Sequence, residues 1–185
     1  MTTIGRAFVA VVPPDEVLDA VDAATAPLHE HVPGARWTTR DQWHVTLQFL
    51  GNRVDLDSVS AALASLPVAR GIAQVGSAGA FPSARRGRVL WLGMTTGAEL
   101  MIQLATAVGS LLQPLGFEPE ARPYHAHLTL ARLKTPADVR EPVGALGDAL
   151  FGPRWPVEEV VVYESRLRRS GAEYAPFTRV PLLEP

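Results

Sequence analysis

The sequence predicts an α+β protein built on an internal duplication, and three observations carry that reading. Apolar, β-branched runs and amphipathic stretches follow one another irregularly, which favours segregated strands and helices over a regular parallel α/β array. The tetrapeptide His44-Val45-Thr46-Leu47 returns as His127-Leu128-Thr129-Leu130. The two histidines lie 83 residues apart in a chain of 185, which fits two similar lobes that each give one strand to a shared cleft.

The elements follow from local pattern. Ile4 to Val12 is apolar and β-branched, stops at Pro13-Pro14, and reads as a buried first strand. Asp15 opens an amphipathic helix with Val17, Leu18, Val21 and Leu28 at helical spacing, running to about Glu30 before Pro33-Gly34. Trp43 to Leu50 is the next strand, closed by Gly51-Asn52, and Asp55 or Asp57 can cap a helix that reaches Leu66 before Pro67. Gly71 to Phe81 and Arg88 to Met94 read as a hairpin around an arginine-rich turn. Ala98 to Leu115 is a helix stopped by Gly116, and Tyr124 to Leu133 is the second motif strand. Ala137 to Leu150 is a weaker helix, interrupted by Pro142, Gly144 and Gly147. Trp155 to Ser165 and Tyr174 to Leu182 are the last strands, separated by an arginine-rich loop over Arg166 to Gly171.

Composition narrows the function. Hydrophobic residues make up 47% and charged residues 19%, an ordinary globular balance, and a net charge of −2 gives no global argument for nucleic-acid binding. Local basic patches remain at Arg85, Arg86 and Arg88, and at Arg166, Arg168 and Arg169. Without cysteine, disulfides, thiol catalysis and thiolate metal sites are excluded. No signal-peptide pattern and no run near the ~18 apolar residues of a membrane span is seen, so a cytoplasmic protein is expected. No heptad or long apolar edge points to an obligate protein partner, and a monomer is expected.

The repeated motif carries the chemistry. In a strand, residues i and i+2 share a face, so each copy sets one imidazole beside one hydroxyl. Two such strands would surround a small polar space with His44, His127, Thr46 and Thr129. Two imidazoles can divide acid and base roles near neutral pH, one neutral and one protonated, which predicts a bell-shaped pH–rate profile. The threonine hydroxyls can hold non-bridging phosphate oxygens as charge builds. Together these groups suffice to open a phosphodiester without a metal.

Other residues have two readings each. His125 shares parity with His127 and either enters the cleft or sits at its rim. His44, His125 and His127 could share a zinc ion, though acidic residues do not cluster at metal-ligand spacing. Arg132 either partners phosphate or makes a strand-end salt bridge. Phe8 and Tyr124 either stack a base or pack in the core, and Arg6 shares parity with Phe8. The four tryptophans are most simply core, and no chemistry attaches to His29 and His31. Neither a Gly-rich phosphate loop nor Gly-x-Ser-x-Gly is present.

These motifs resemble the 2H phosphoesterase superfamily, named for its two His-x-Thr/Ser motifs. Within it the chain is most similar to the LigT-type RNA 2′,3′-cyclic phosphodiesterases, also known as the 2′-5′ RNA ligase family. The resemblance runs through RAFVAVVPP (Arg6 to Pro14), QWHVTLQFLG (Gln42 to Gly51), GAFPS (Gly79 to Ser83), RVLWLG (Arg88 to Gly93), RPYHAHLTLAR (Arg122 to Arg132) and VYESRL (Val162 to Leu167). It implies one bilobal domain over residues 1–185, with two antiparallel sheets around a central cleft, helices outside and pseudo-twofold symmetry. It implies His44 and His127 as the catalytic pair, with Thr46 and Thr129 binding phosphate; it leaves open which imidazole is acid and which is base, with His127 as base and His44 as acid the favoured assignment. The implied reaction is metal- and cofactor-free hydrolysis of a terminal 2′,3′-cyclic phosphate to a 2′-phosphate, with 2′-5′ RNA ligation as a further activity. RNA ends or small cyclic nucleotides would be the partners. A non-catalytic RNA-end sensor using the same cleft is the alternative. One departure stands out: Ala126 occupies a position where the family commonly has proline.

Overall fold

The computed structural model describes residues 4–168 and 171–185. Strand β1 (Ile4–Val11) ends beside Pro13 and Pro14, which cannot donate to a ladder. Helix α1 (Asp15–Thr25) opens on two acidic residues, which suit a helix N-terminus, and buries Val17, Leu18 and Val21. It does not reach Glu30 as an α-helix. Pro27 removes an i→i−4 donor, and Ala26–His31 tightens into a 3-10 turn. A short strand absent from the sequence reading, β2 (Ala35–Trp37), follows.

Strand β3 (Val45–Asp55) begins one residue after His44 and continues past Gly51. Gly51 (φ 85°) and Arg53 (φ 58°) take left-handed conformations, and the pairing with β1 shifts register nearby, so this stretch is bulged rather than terminated. Helix α2 (Leu56–Leu63) is capped by Asp55, which accepts from the Ser58 N–H at 3.1 Å. The hairpin of β4 (Gly71–Phe81) and β5 (Gly87–Thr96) forms as expected. Helix α3 (Ala98–Leu112) gives way to a 3-10 turn at Pro114 and stops at Gly116.

Strand β6 spans Leu128–Ala137, so the segment from Tyr124 to His127 is extended but outside the ladder. The helix read over Ala137 to Leu150 contracts to α4 (Arg140–Leu146), because Gly147 adopts a backbone (φ 54°) that ends it. The single strand read over Trp155 to Ser165 is two strands, β7 (Leu150–Val157) and β8 (Glu159–Arg168). Arg166 and Arg168 do not lie in a loop. They extend β8, whose ladder with β9 (Gly171–Pro181) continues to the pair Arg168–Gly171. Arg169 lies outside the described residues.

The strands pair antiparallel in the order β7-β4-β5-β6-β3-β1-β8-β9, with β2 added along β6. Two four-stranded halves, β7-β4-β5-β6 and β3-β1-β8-β9, therefore meet where β3 meets β6. That ladder consists of one pair, Val45–Leu128. The two motif strands form the seam.

One hydrophobic cluster runs across both halves on the helix-bearing side: Ala7, Val9 and Val11 of β1, Val45 and Leu47 of β3, Leu128 and Leu130 of β6, and Leu104 and Val108 of α3. Fully burying each leucine or valine contributes roughly 1.5–3 kcal/mol. The intervening residues of the motif strands face away from this core.

Candidate active site

Alternation fixes the site. Val45 and Leu128 are fully buried, whereas His44, Thr46, His127 and Thr129 are partly accessible on the opposite face. Carrying the antiparallel register one step either way from Val45–Leu128 sets His44 opposite Thr129 and Thr46 opposite His127. The imidazole–hydroxyl pairs thus cross at the seam.

The two imidazoles are held in the same way. His44 Nδ1 lies 2.8 Å from the Gln42 carbonyl oxygen, and His127 Nδ1 lies 2.7 Å from that of His125. A carbonyl only accepts, so Nδ1 carries the proton in both rings and Nε2 is left to face the cleft. Each anchor is the backbone two residues upstream, so each half positions its own ring.

Aromatic packing completes the walls. Phe8 stacks on His44 at 4.6 Å between ring centroids, and Tyr174 meets the same histidine edge-on at 5.3 Å. Phe8 is 1% exposed, so it supports His44 and has no face left for a base, which corrects the stacking alternative. On the other half, Phe81 meets His127 edge-on at 5.1 Å, and Trp91 lies 4.6 Å from His125. The offset that relates His44 to His127 also relates Phe8 to Trp91, a correspondence the sequence contains but that pattern reading passed over. Trp43 and Trp155 are core, whereas Trp37 and Trp91 are only partly buried, against the core reading of all four.

Burial disfavours the protonated form of both imidazoles in the free protein. Burial pushes His44 down to about 4; the Gln42 carbonyl works against this, and the charges of His127 and Arg132 add to it. His127 is also lowered by burial, with the His125 carbonyl and Glu120 opposing and the His125 and Arg132 charges assisting. The pairing with β5 shifts register between Thr129 and Ala131, so Ala131 is buried and Arg132 is exposed, and the Arg132 charge acts on both rings.

The remaining residues are placed as follows. His125 is exposed at the rim, 6.2 Å from His127 between ring centroids. Tyr124 donates its hydroxyl to the Thr46 carbonyl at 2.9 Å, and burial raises its pKa above the usual range. That bond ties the segment before β6 to β3. With Trp91, His125, Met94 and Ile102, Tyr124 lines a cavity of about 200 Å³. Arg6 holds its guanidinium 5.2 Å from the centre of the Phe49 ring, on the Phe8 face. Among the described residues, no three histidine, aspartate or glutamate side chains come together to hold a metal, so the three-imidazole zinc alternative lacks a donor set.

Comparison with known proteins decides the family. The model of the 2′-5′ RNA ligase superfamily matches residues 13–169. The chain belongs to this superfamily. Its relatives there include the RNA 2′,3′-cyclic phosphodiesterase of Escherichia coli, 30% identical over 97% of both chains. The RNA 2′,3′-cyclic phosphodiesterase of Thermus thermophilus is 32% identical, covering 91% of this chain and 86% of the relative. The crystal structure of E. coli LigT complexed with 3′-AMP superposes with a TM-score of 0.79 at 27% identity, covering 98% of this chain and all of that one. The curled antiparallel sheet with helices on one side is thus the superfamily's α+β fold.

Proposed function

We propose that this protein is an RNA 2′,3′-cyclic phosphodiesterase, acting as one bilobal domain with His44 and His127 as its acid–base pair. The observation that carries the reading is the pairing itself: two imidazoles, each tied at Nδ1 to its own half and each followed by a cleft-facing threonine, meet at the single seam between halves.

The geometry supports an in-line displacement. One Nε2 takes a proton from water as the water oxygen bonds to phosphorus. The P–O3′ bond breaks, and the other imidazole, protonated, gives its proton to O3′, leaving a 2′-phosphate. The hydroxyls of Thr46 and Thr129 donate to the non-bridging oxygens, and Arg132 balances their charge. With a 5′-hydroxyl in place of water, the same steps would form a 2′-5′ linkage. An acid at His44 must be loaded with its proton by the substrate, because the free protein holds this ring neutral. A phosphate anion between the rings supplies the field that does so.

RNA ends and small cyclic nucleotides are the substrates this reading names, and the protein would work as a cytoplasmic monomer. The test is turnover of an oligoribonucleotide ending in a 2′,3′-cyclic phosphate, in EDTA, with the product read by phosphorus NMR. A 2′-phosphate is expected, with turnover lost in His44→Ala and His127→Ala. Near-normal turnover by either variant, or a 3′-phosphate product, would overturn the assignment.

A further inference from the structure

The seam is spaced by side chains where an ordinary sheet would use backbone. In a continued antiparallel ladder, backbone bonds set neighbouring strands about 4.8 Å apart. Between β3 and β6 that ladder is one pair, Val45–Leu128. The spacing on either side of the pair has to come from other contacts, and each side has one.

On the Thr129 side the contact is Thr38. Strand β2 lies along β6 from Leu133 to Ala131, and Thr38, the residue after β2, extends that contact by donating its N–H to the Leu130 carbonyl at 2.9 Å. The Thr38 hydroxyl lies 2.8 Å from the carbonyl oxygens of both Thr129 and Leu130. It also lies 2.8 Å from Nε1 of Trp43, the buried residue that precedes His44. An indole N–H only donates, so the Thr38 oxygen accepts from Trp43 and its one hydrogen is shared between the two carbonyls. A continuous link thus runs from the chain neighbour of His44 to the backbone of Thr129. On the Thr46 side the contact is Tyr124, three residues before His127, whose hydroxyl donates to the Thr46 carbonyl at 2.9 Å. The offset of 83 would carry Thr38 to Ala121 and Tyr124 to Asp41, so the two contacts are not copies of each other.

Each contact grips the backbone of a cleft-facing threonine, and each comes from the segment that leads into the opposite motif. A peptide unit is planar, so holding a carbonyl fixes the plane that follows the threonine and the direction in which its side chain leaves. The imidazoles, by contrast, are held within their own motifs by the Gln42 and His125 carbonyls. We propose that Thr38 and Tyr124 are positioning residues for the reaction at the seam: by holding the Thr129 and Thr46 carbonyls across it, they fix the gap in which both imidazoles and both threonine hydroxyls meet one phosphate. Neither needs to touch substrate, because each hydroxyl hydrogen is already engaged by backbone. This rests on the cyclic phosphodiesterase reading and adds two residues to it.

The test is a pair of donor deletions, Tyr124→Phe and Thr38→Val, with Thr38→Ser as the variant that keeps the hydroxyl. With a mononucleoside 2′,3′-cyclic phosphate, each deletion should lower kcat about tenfold with a smaller change in KM, since misplacement by about 1 Å can cost on the order of a hundredfold. Thr38→Ser should regain most of the loss. A second readout needs no turnover: the titration midpoints of His44 and His127, followed by NMR of their ring protons. Opening the seam hydrates both rings and moves their charges apart, so both midpoints should rise in the two deletions. Arg132, Glu120 and His125, the other charged groups that act on the pair, are untouched by these substitutions. A role confined to stability would lower the melting temperature and leave the midpoints of the folded protein where they are. Unmoved midpoints, an unchanged kcat, or a kcat loss that vanishes once corrected to the folded fraction would overturn the proposal. Failure of the hydrolase reading would show separately, as absence of mononucleoside turnover by the native protein, and the midpoints would then decide whether Thr38 and Tyr124 space the seam.

Discussion

Replacing His44 by glutamine should flatten the dependence of stability on pH. Burial holds the folded His44 at about 4 against an ordinary value of 6.5. Between those limits the unfolded chain binds a proton that the folded protein refuses, so stability falls as pH falls through this window. Above about pH 6.5 neither state binds it, and the effect is absent. At ~1.4 kcal/mol per pH unit, the interval sets a ceiling of about 3 kcal/mol. The edge of the ring that faces the cleft is hydrated, which lowers the expectation to about 2 kcal/mol. Urea unfolding at about pH 7.5 and about pH 4 measures the difference for native protein and His44→Gln. The carboxylates titrate in both and cancel, as does the downward shift of His127. The native protein should lose about 2 kcal/mol more than the variant over this range. Inorganic phosphate should shrink that difference, because an anion at the seam favours protonated imidazole. Equal losses in the two proteins, to within about 0.5 kcal/mol, would refute the claim that the seam excludes a proton from His44.

Three other outcomes follow from the same geometry. Sulfur in place of O3′ leaves without needing a proton, so with His44 as acid this substrate should restore much of a loss of roughly 10²–10⁴ in His44→Ala but not in His127→Ala; the opposite pattern would exchange the two roles. Thr46→Val and Thr129→Val keep side-chain shape while removing a donor, and each should cut kcat by roughly a hundredfold with little change in the melting temperature. Gly79→Ala would place a Cβ 2.2 Å from the Trp91 ring, so the indole must shift; tryptophan fluorescence should change, with stability lowered by about 1–3 kcal/mol.

The site was more legible in the sequence than the element boundaries were. The repeated His-x-Thr has a period that only a strand face satisfies, and the seam brings the four named side chains to one face. Boundaries failed where backbone conformation overrode composition. Gly51 reads as a stop but sits in a bulge that lets β3 continue, and the arginines of Arg166 to Gly171 read as a loop because their charges are satisfied only by Glu164 and Glu173 within the hairpin. Strand β2 was invisible because three residues carry no period. Trp91 was missed for the same reason: it meets a partner from another segment, His125, and a linear pattern does not encode that pairing.

The one-pair seam makes the two halves chemically incomplete apart. Each supplies one ring, oriented by its own backbone carbonyl, and one hydroxyl, and neither has a second imidazole to take the opposite proton-transfer role. Because the ladder between the motif strands is one pair, Val45–Leu128, supported by the Tyr124 hydroxyl on the Thr46 carbonyl, rotation of one half-sheet against the other would alter the gap between the Nε2 atoms while leaving each ring's own anchor intact. Ring orientation is thus set locally, and ring separation globally. On the proposed reading, proton transfer would be a property of the joint, and either half alone would carry well-aimed groups with nothing opposite them.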